Sequence, residues 1–293
     1  MSNLATIMQE YVDREGLSAL EGVYDTSIPN VRFYRSSTGN PRQPFTYQSG
    51  VLILGQGNKD IHIGESCVSY GPNDYLVVGV PLPLECEAFA KENSQILGLS
   101  ITIDQATLQR MVNALQNSGR KLGNPMRNDS ICLNSVPMDN DMFDTCMRLM
   151  RALCDNTESK VLGPLIYEEL IYRVLTSDKA HVLFDLAAIE GQYARIVKAL
   201  NKVHQNYQEM LSVQELASEA NMSVSAFHQA FRSVTLESPL QYIKKVRLNK
   251  AKELIQLEGK RVGDAARLVG YNSASQFSRE YKRHFEQTPA STR

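Results

Sequence analysis

Two side chains in the last third of the chain have the chemistry to read base edges. Arg279 can make a bidentate contact to guanine, and Gln229 can do the same to adenine. Each falls in a short polar set at helical spacing. One set is Ser225, His228, Gln229 and Arg232; the other is Ala274, Ser275, Ser278, Arg279 and Lys282. Arg232, Lys282 and Arg283 suit phosphate oxygens, which add affinity but little sequence information. Other chemistry is sparser. Cys86 stands between Glu85 and Glu87 in the run VPLPLECE. A thiolate is a nucleophile that captures a soft electrophile such as a short aldehyde reversibly. The two flanking carboxylates disfavour that thiolate, and a buried core cysteine is the competing reading. Cys67 alternates along another predicted strand, and Tyr47, Tyr75 and Phe89 are candidates for lining a cavity. His62 is followed by Ile63, Gly64 and Glu65, so the His-x-His pair of a catalytic metal site is missing. No nucleophile–base pair, phosphate loop or glycine fingerprint is present, and the sequence predicts no enzyme, no metal and no cofactor.

The elements that must position the two polar sets form an internal repeat. LASEANMSVSAFHQAFR, from Leu216, aligns with AARLVGYNSASQFSREYK, from Ala265, at an offset of 49 residues that becomes 50 after the turn. Ala217 matches Ala266, Ala220 matches Val269, Phe227 matches Phe277 and Phe231 matches Tyr281. Val224, Phe227 and Phe231 in one copy, and Phe277, Tyr281 and Phe285 in the other, make one-sided helical stripes. Gly270 and its counterpart Asn221 sit where a left-handed turn residue is wanted. Ser223 and Ser273 suit the caps of the second helices. Each copy therefore reads as a helix-turn-helix. Between them, Ser238 and Pro239 open a helix that runs to Leu257 and ends at Gly259. At that length, roughly 28 Å, it could hold two reading helices about one DNA turn apart.

Composition supports two domains. The chain has 293 residues, 43% of them hydrophobic and 22% charged, with a net charge of −1. That total hides an asymmetry: residues 1–192 carry −8 and residues 193–293 carry +7. A basic module attached to an acidic one suits a polyanionic partner for the basic part alone. No run approaches the ~18 apolar residues of a membrane span, and the N-terminus lacks the pattern of a secretory signal. Five scattered cysteines without a C-x-x-C pair fit a cytoplasmic protein.

From Val31 to Ile103 short apolar and alternating runs, such as VLILGQG, KDIHIG and YLVVGVPLPLECEAF, predict strands of an antiparallel sandwich or barrel. Helices are expected over 104–117, 139–154 and 163–175. The stripes Met142, Cys146, Leu149, Leu153 and Leu165, Ile166, Leu170, Val174 are either core or a two-helix dimer face.

The segment from Ile196 to Ala290, above all RLNKAKELI and VGDAARLVGYNSASQFSREYKRHFEQTPA, resembles the DNA-binding domain of AraC/XylS-type transcription regulators. The stretch GVLILGQGNKDIHIG…GPNDYLVVGVPLPLECEAFA resembles the cupin-like sensor domain of one branch of that family, which includes an aldehyde-responsive regulator. The resemblance implies an α+β two-domain protein: an N-terminal cupin-like β-barrel with helices, and a C-terminal all-α domain of two helix-turn-helix units joined by a long helix. Its expected boundaries are a sensing and dimerisation domain over 1–180, a linker over 181–192 and a DNA-binding domain over 193–293. The family's base-reading positions fall on Ser225, His228, Gln229, Ala274, Ser275 and Arg279. The implied partners are double-stranded DNA at half-sites in adjacent major grooves, a second copy of the chain, RNA polymerase and a small-molecule effector, and the implied role is activation. Two rivals remain: a regulator whose N-terminal domain binds no ligand, and a cupin-type enzyme, against which the missing histidine pair speaks.

Overall fold

The structure is a computed structural model that describes residues 3–63, 66–90, 94–118, 133–177, 183, 192–256 and 258–292. The chain divides into two compact units. The first comprises Met1–Arg42, Gln48–Gly79 and Cys86–Ala188; the second comprises Gln43–Tyr47, Val80–Glu85 and Ile189–Arg293. The expected linker over 181–192 lies outside the described residues except for Leu183 and Gln192.

The β-rich part opens with helix α1 (Leu4–Glu15). Nine strands follow: β1 (Gly22–Asp25), β2 (Val31–Ser36), β3 (Gly39–Tyr47), β4 (Gly50–Gln56), β5 (Asn58–Ile63), β6 (Ser66–Tyr70), β7 (Asp74–Val78), β8 (Leu82–Phe89) and β9 (Ile96–Thr102). Helix α2 (Gln105–Asn117), strand β10 (Leu133–Pro137) and helices α3 (Asn140–Leu153), α4 (Asn156–Val161) and α5 (Gly163–Leu175) complete it. The strands form a six-stranded sheet in the order β1-β2-β9-β4-β7-β10 and a four-stranded sheet in the order β3-β8-β5-β6.

The expected closed barrel is thus corrected to two separate sheets among the described residues. The edge strands explain the failure to close. β3 carries Pro41 and Pro44, which have no N–H to give a further ladder. β1 is four residues long, and β10 is five and ends on Pro137.

Register sorts the two faces of the larger sheet. Phe33, Leu99, Ile53, Tyr75 and Val136 stand directly opposite one another across five strands. Directly opposed residues share a face. The Phe33 ring lies 5.0 Å from that of Tyr11 on α1, so this row faces the helical layer. The adjacent row, Tyr34, Gly98 and Leu54, turns the other way. On α3, Met142, Cys146, Leu149 and Leu153 are all buried, and on α5 so are Ile166, Leu170 and Val174. The two stripes are core. Leu165 departs from its stripe at 63% exposure. Asp104 and Asp139 act as N-caps of α2 and α3 through their carboxylates, so those helices start one residue later than expected.

The second unit is helical beyond its two short leading segments. It holds α6 (Gln192–Asn206), α7 (Val213–Glu219), α8 (Val224–Thr235), α9 (Pro239–Gln256), α10 (Val262–Leu268) and α11 (Ala274–Phe285). The repeat extends to the backbone. In the first turn Met222 N donates to Ala217 O at 2.9 Å and Asn221 N to Ser218 O at 2.9 Å; in the second Tyr271 N donates to Ala266 O at 2.9 Å and Gly270 N to Arg267 O at 3.0 Å. Asn221 and Gly270 both hold the expected left-handed conformation, at φ of 50° and 85°. Glycine is needed at 270 for a further reason: a Cβ there would meet the Gln208 carbonyl oxygen at 2.4 Å. Leu236 and Glu286, which end the second helices, are left-handed too, at 62° and 59°. Ser223 caps Ala226 N at 3.3 Å and Ser273 caps Gln276 N at 3.2 Å, while Ser212 and Glu215 close a capping box ahead of α7.

Phe277 and Tyr281 are fully buried, with Phe285 beside them, in one core with Leu248, Ala251, Ile255, Ala265, Ala266 and Val269. In the first copy Phe227, Ala230, Phe231 and Val234 are buried, but Val224, expected in the stripe, is 41% exposed at the helix start.

Candidate nucleic-acid interface

Burying one stripe of α8 and α11 forces the opposite stripe outward. Ser225, His228, Gln229 and Arg232 are all exposed on α8, and Ala274, Ser275, Arg279, Lys282 and Arg283 are exposed on α11; Ser278 is half-buried. The structure therefore gathers each base-reading and phosphate candidate on the outer face of the second helix of its own helix-turn-helix. The 18-residue helix α9 that joins the copies is about 27 Å long. Lys282, Arg283 and His284 occupy the last turn of α11, where the helix dipole favours positive charge.

A cleft of about 350 Å³ lies between α9 and α11, lined by Lys244, Lys245, Leu248, Arg279, Glu280 and Arg283. Lys244 and Lys245 were missed in the sequence reading, although the Lys-Lys pair in QYIKKVR was the available signal. Lys245 pairs with Glu237, so Lys244 is the freer addition to the basic face. The Glu280 carboxylate in this cleft accepts from Tyr271 Oη at 2.8 Å and from Gln276 Nε2 at 3.1 Å.

One further cation of this unit, Arg247, is structural. Arg247 donates to the carbonyls of Tyr207 and Glu209, both at 2.6 Å. The two histidines are internal. His204 Nε2 lies 2.8 Å from Tyr242 Oη, and that hydroxyl donates its one proton to Pro81 O at 2.6 Å. His204 must then donate from Nε2. His284 Nε2 lies 3.2 Å from Asn249 Oδ1. Burial pulls both imidazoles down to about 4, so both are neutral at pH 7.

The effector candidates scatter. Cys86 is buried, with Asn40 Nδ2 donating to its carbonyl at 3.1 Å. β8 alternates, so Glu85 and Glu87 fall on the face opposite Cys86. Cys67 is exposed on β6, opposite His62. Tyr75 lies in the helix-facing row, away from Tyr34. Tyr47 is buried and stacks on Phe45 at 5.0 Å, and Phe89 is exposed. His62 approaches Glu87 at 3.7 Å.

Known proteins resemble both parts. Residues 27–182 match the family described as AraC-type transcriptional regulator N-terminus, and residues 216–293 match a helix-turn-helix domain family. The HTH-type transcriptional regulator AlkR of Acinetobacter baylyi is 34% identical over 97 residues, covering 33% of this chain and 32% of AlkR. The lactose operon transcription activator of Staphylococcus xylosus is 23% identical over 173 residues, covering 58% and 62% of the two chains. The chain thus spans less than two thirds of the length of these curated relatives. Among solved structures, ToxT of Vibrio cholerae, bound to (E)-4-(8-methylnaphthalen-1-yl)but-3-enoic acid, shares the fold with a TM-score of 0.61 at 12% identity, over 89% of this chain and 96% of that one. The N-terminal match alone spans more than half of the sequence, and the protein belongs to the AraC-type transcriptional regulators.

Proposed function

We propose that the chain binds double-stranded DNA sequence-specifically through both helix-turn-helix units, residues 193–293, and activates transcription. Residues 1–180 hold a small-molecule effector and dimerise. The observation that carries this reading is the pair of matched units, each with its polar stripe outward, on the two ends of α9. Ser225, His228, Gln229, Ala274, Ser275 and Arg279 face base edges, and Arg232, Lys282 and Arg283 face phosphates. The relatives named above are transcription regulators, which supports a non-catalytic role. Val161, Leu162 and Leu165 are exposed apolar side chains at the α4–α5 junction and support a contact with a second copy. RNA polymerase is the further partner that activation requires.

Arg279→Ala is expected to weaken specific binding by about 1–3 kcal/mol and relax one base position. Lys282→Ala should weaken all sequences alike and lower the salt slope by about 1. Unchanged base preference in a binding-site selection removes Arg279 from the readers, and an unaltered slope removes Lys282 from the phosphate set.

For the effector, a short aldehyde captured by Cys86 is the covalent form of the reading. It is tested by thermal shift of the full chain with short aldehydes, beside Cys86→Ser. Ligand that binds only the folded chain at one hundred times its Kd adds about 2.7 kcal/mol. A shift lost in Cys86→Ser supports thiol capture; a shift retained leaves Cys86 as core.

A further inference from the structure

One side of α9 and one side of α11 meet over the cleft of about 350 Å³. Gln241, Lys244, Lys245 and Leu248 stand at the three- and four-residue spacing of a single helix face. Leu248 is buried and belongs to the core that holds Phe277 and Tyr281. Lys244 and Lys245 are half-buried, and Arg279 and Arg283 are exposed one turn apart on α11. Lys245 is matched by Glu237, two residues beyond α8. The remaining lining charges are Lys244, Arg279 and Arg283 against Glu280, a net of +2. The same positive field reaches the neighbouring imidazole. Burial above all, then Lys245, Lys244 and Lys252, holds His284 low, with Glu85 opposing.

A concave site with surplus positive charge suits an oxyanion. Lysine brings a point charge and arginine a planar fork, and both are phosphate binders. Arg279 ties the cleft to the major groove that α11 would enter. α9 spans the interval between the two reading helices, and on one face of a duplex that interval is the minor groove with its two bordering backbones. We infer that the α9–α11 cleft seats one phosphate group, gripped jointly by Lys244 of the connecting helix and Arg283 of the reading helix, and that on DNA this is a backbone phosphate between the two half-sites. Lys244 is then a positioning residue. It carries no base information and sets how α11 lies in its groove. The inference rests on the DNA-binding reading above and adds to it a contact from the helix that joins the two copies. A free phosphate-bearing metabolite offers the same chemistry, and the two sources separate by experiment.

The first arm is the affinity of the full chain for its selected duplex across a salt series, read by fluorescence anisotropy. The variants are Lys244→Ala, Arg283→Ala and the double variant. Lys160→Ala, which removes one exposed charge from α4, is the control. Lys244→Ala should weaken selected and random duplexes alike, about three- to tenfold, with base preference kept. The double variant should lower the salt slope by about 1, the worth of one phosphate, and Lys160→Ala should leave it unchanged. Should alanine disturb α9, Lys244→Gln keeps the stem and removes the charge. The second arm is calorimetry with inorganic pyrophosphate and no DNA. Binding that is lost in both Lys244→Ala and Arg283→Ala but kept in Lys160→Ala, with the DNA slope unaltered, keeps the seat and gives it to a free phosphate. A double variant that lowers the slope by about 2 assigns the two cations to different phosphates and overturns the shared seat. A Lys244→Ala chain that matches the parent in both arms overturns it as well. A chain that selects no duplex defeats the DNA-binding reading instead, and the pyrophosphate arm alone then decides the seat.

Discussion

Phe277→Ala is expected to destabilise the second helix-turn-helix by about 3–5 kcal/mol, the usual cost of deleting a fully buried aromatic ring. Phe277 has no exposed surface and stacks between Tyr271 at 5.2 Å and Tyr281 at 5.4 Å. Its neighbours Ala265, Ala266 and Val269 are small, and Leu248 and Ile255 come from a helix fixed at both ends of the repeat. That wall cannot collapse into the space left behind. A whole domain holds only about 5–15 kcal/mol, so the loss is a large share. It also reaches function. Phe277 faces inward from the helix that presents Arg279 outward, so a loosened α11 no longer aims its reader. Hydrogen exchange of the α11 amides should accelerate by two or more orders of magnitude, and specific DNA binding should fall with it. Phe277→Leu, which refills most of the volume, should lose far less. A change below about 1 kcal/mol in Phe277→Ala would show that the site relaxes and that this ring does not hold the helix.

The second large effect is acid destabilisation through His204 and His284. Both are pulled down to about 4 by burial in the folded chain, against an ordinary value of 6.5. Lys245, Lys244 and Lys252 lower His284 further, and Glu85 opposes them. Between those values the unfolded chain binds more protons than the folded one, so stability rises with pH there. The contribution is complete above about pH 6.5 and is lost as pH falls toward 4. At 1.36 kcal/mol per pH unit each histidine contributes roughly 3 kcal/mol in full, of which about 2 is lost by pH 5. Urea denaturation at pH 7 and pH 5 reads this directly. The double variant His204→Gln, His284→Gln should be much less sensitive over that interval. Equal midpoints for the parent at the two pH values would mean that the imidazoles protonate inside the fold without cost.

How much of this was legible in the sequence depends on the range of the signal. The helix-turn-helix pair was readable because each determinant is local: Ser223 and Ser273 as caps, Asn221 and Gly270 as turn residues, and the aromatic stripe of Phe277, Tyr281 and Phe285. Val224 misled because a helix start is solvated even when the stripe pattern includes it. The left-handed Leu236 and Glu286 carry no glycine to announce them. In the β-rich part, strands were visible as alternating runs, but their partners were not. β2 pairs with β1 and β9, and β4 with β7 and β9, which no local pattern states. The strand spacing left a sandwich and a barrel open and the resemblance favoured the barrel, while Pro41, Pro44 and Pro137 at strand edges were the residues that spoke against closure. Helix α1 was missed because its apolar face, Leu4, Ile7, Met8, Tyr11 and Val12, precedes any recognisable motif. The burial of Lys59 was not legible, because a lysine in KDIHIG reads as surface until its alternation partners Ile61 and Ile63 are seen buried.

The central claim is that two matched units read two adjacent stretches of one duplex. Its most direct test is selection of the full chain from random duplex DNA, followed by hydroxyl-radical footprinting on the winner. The account predicts two protected segments on one face of the helix, centred about 10–10.5 base pairs apart, with the segment read by α11 losing one base preference in Arg279→Ala. No enriched sequence, or a single protected segment unaffected by Arg279→Ala, would contradict it.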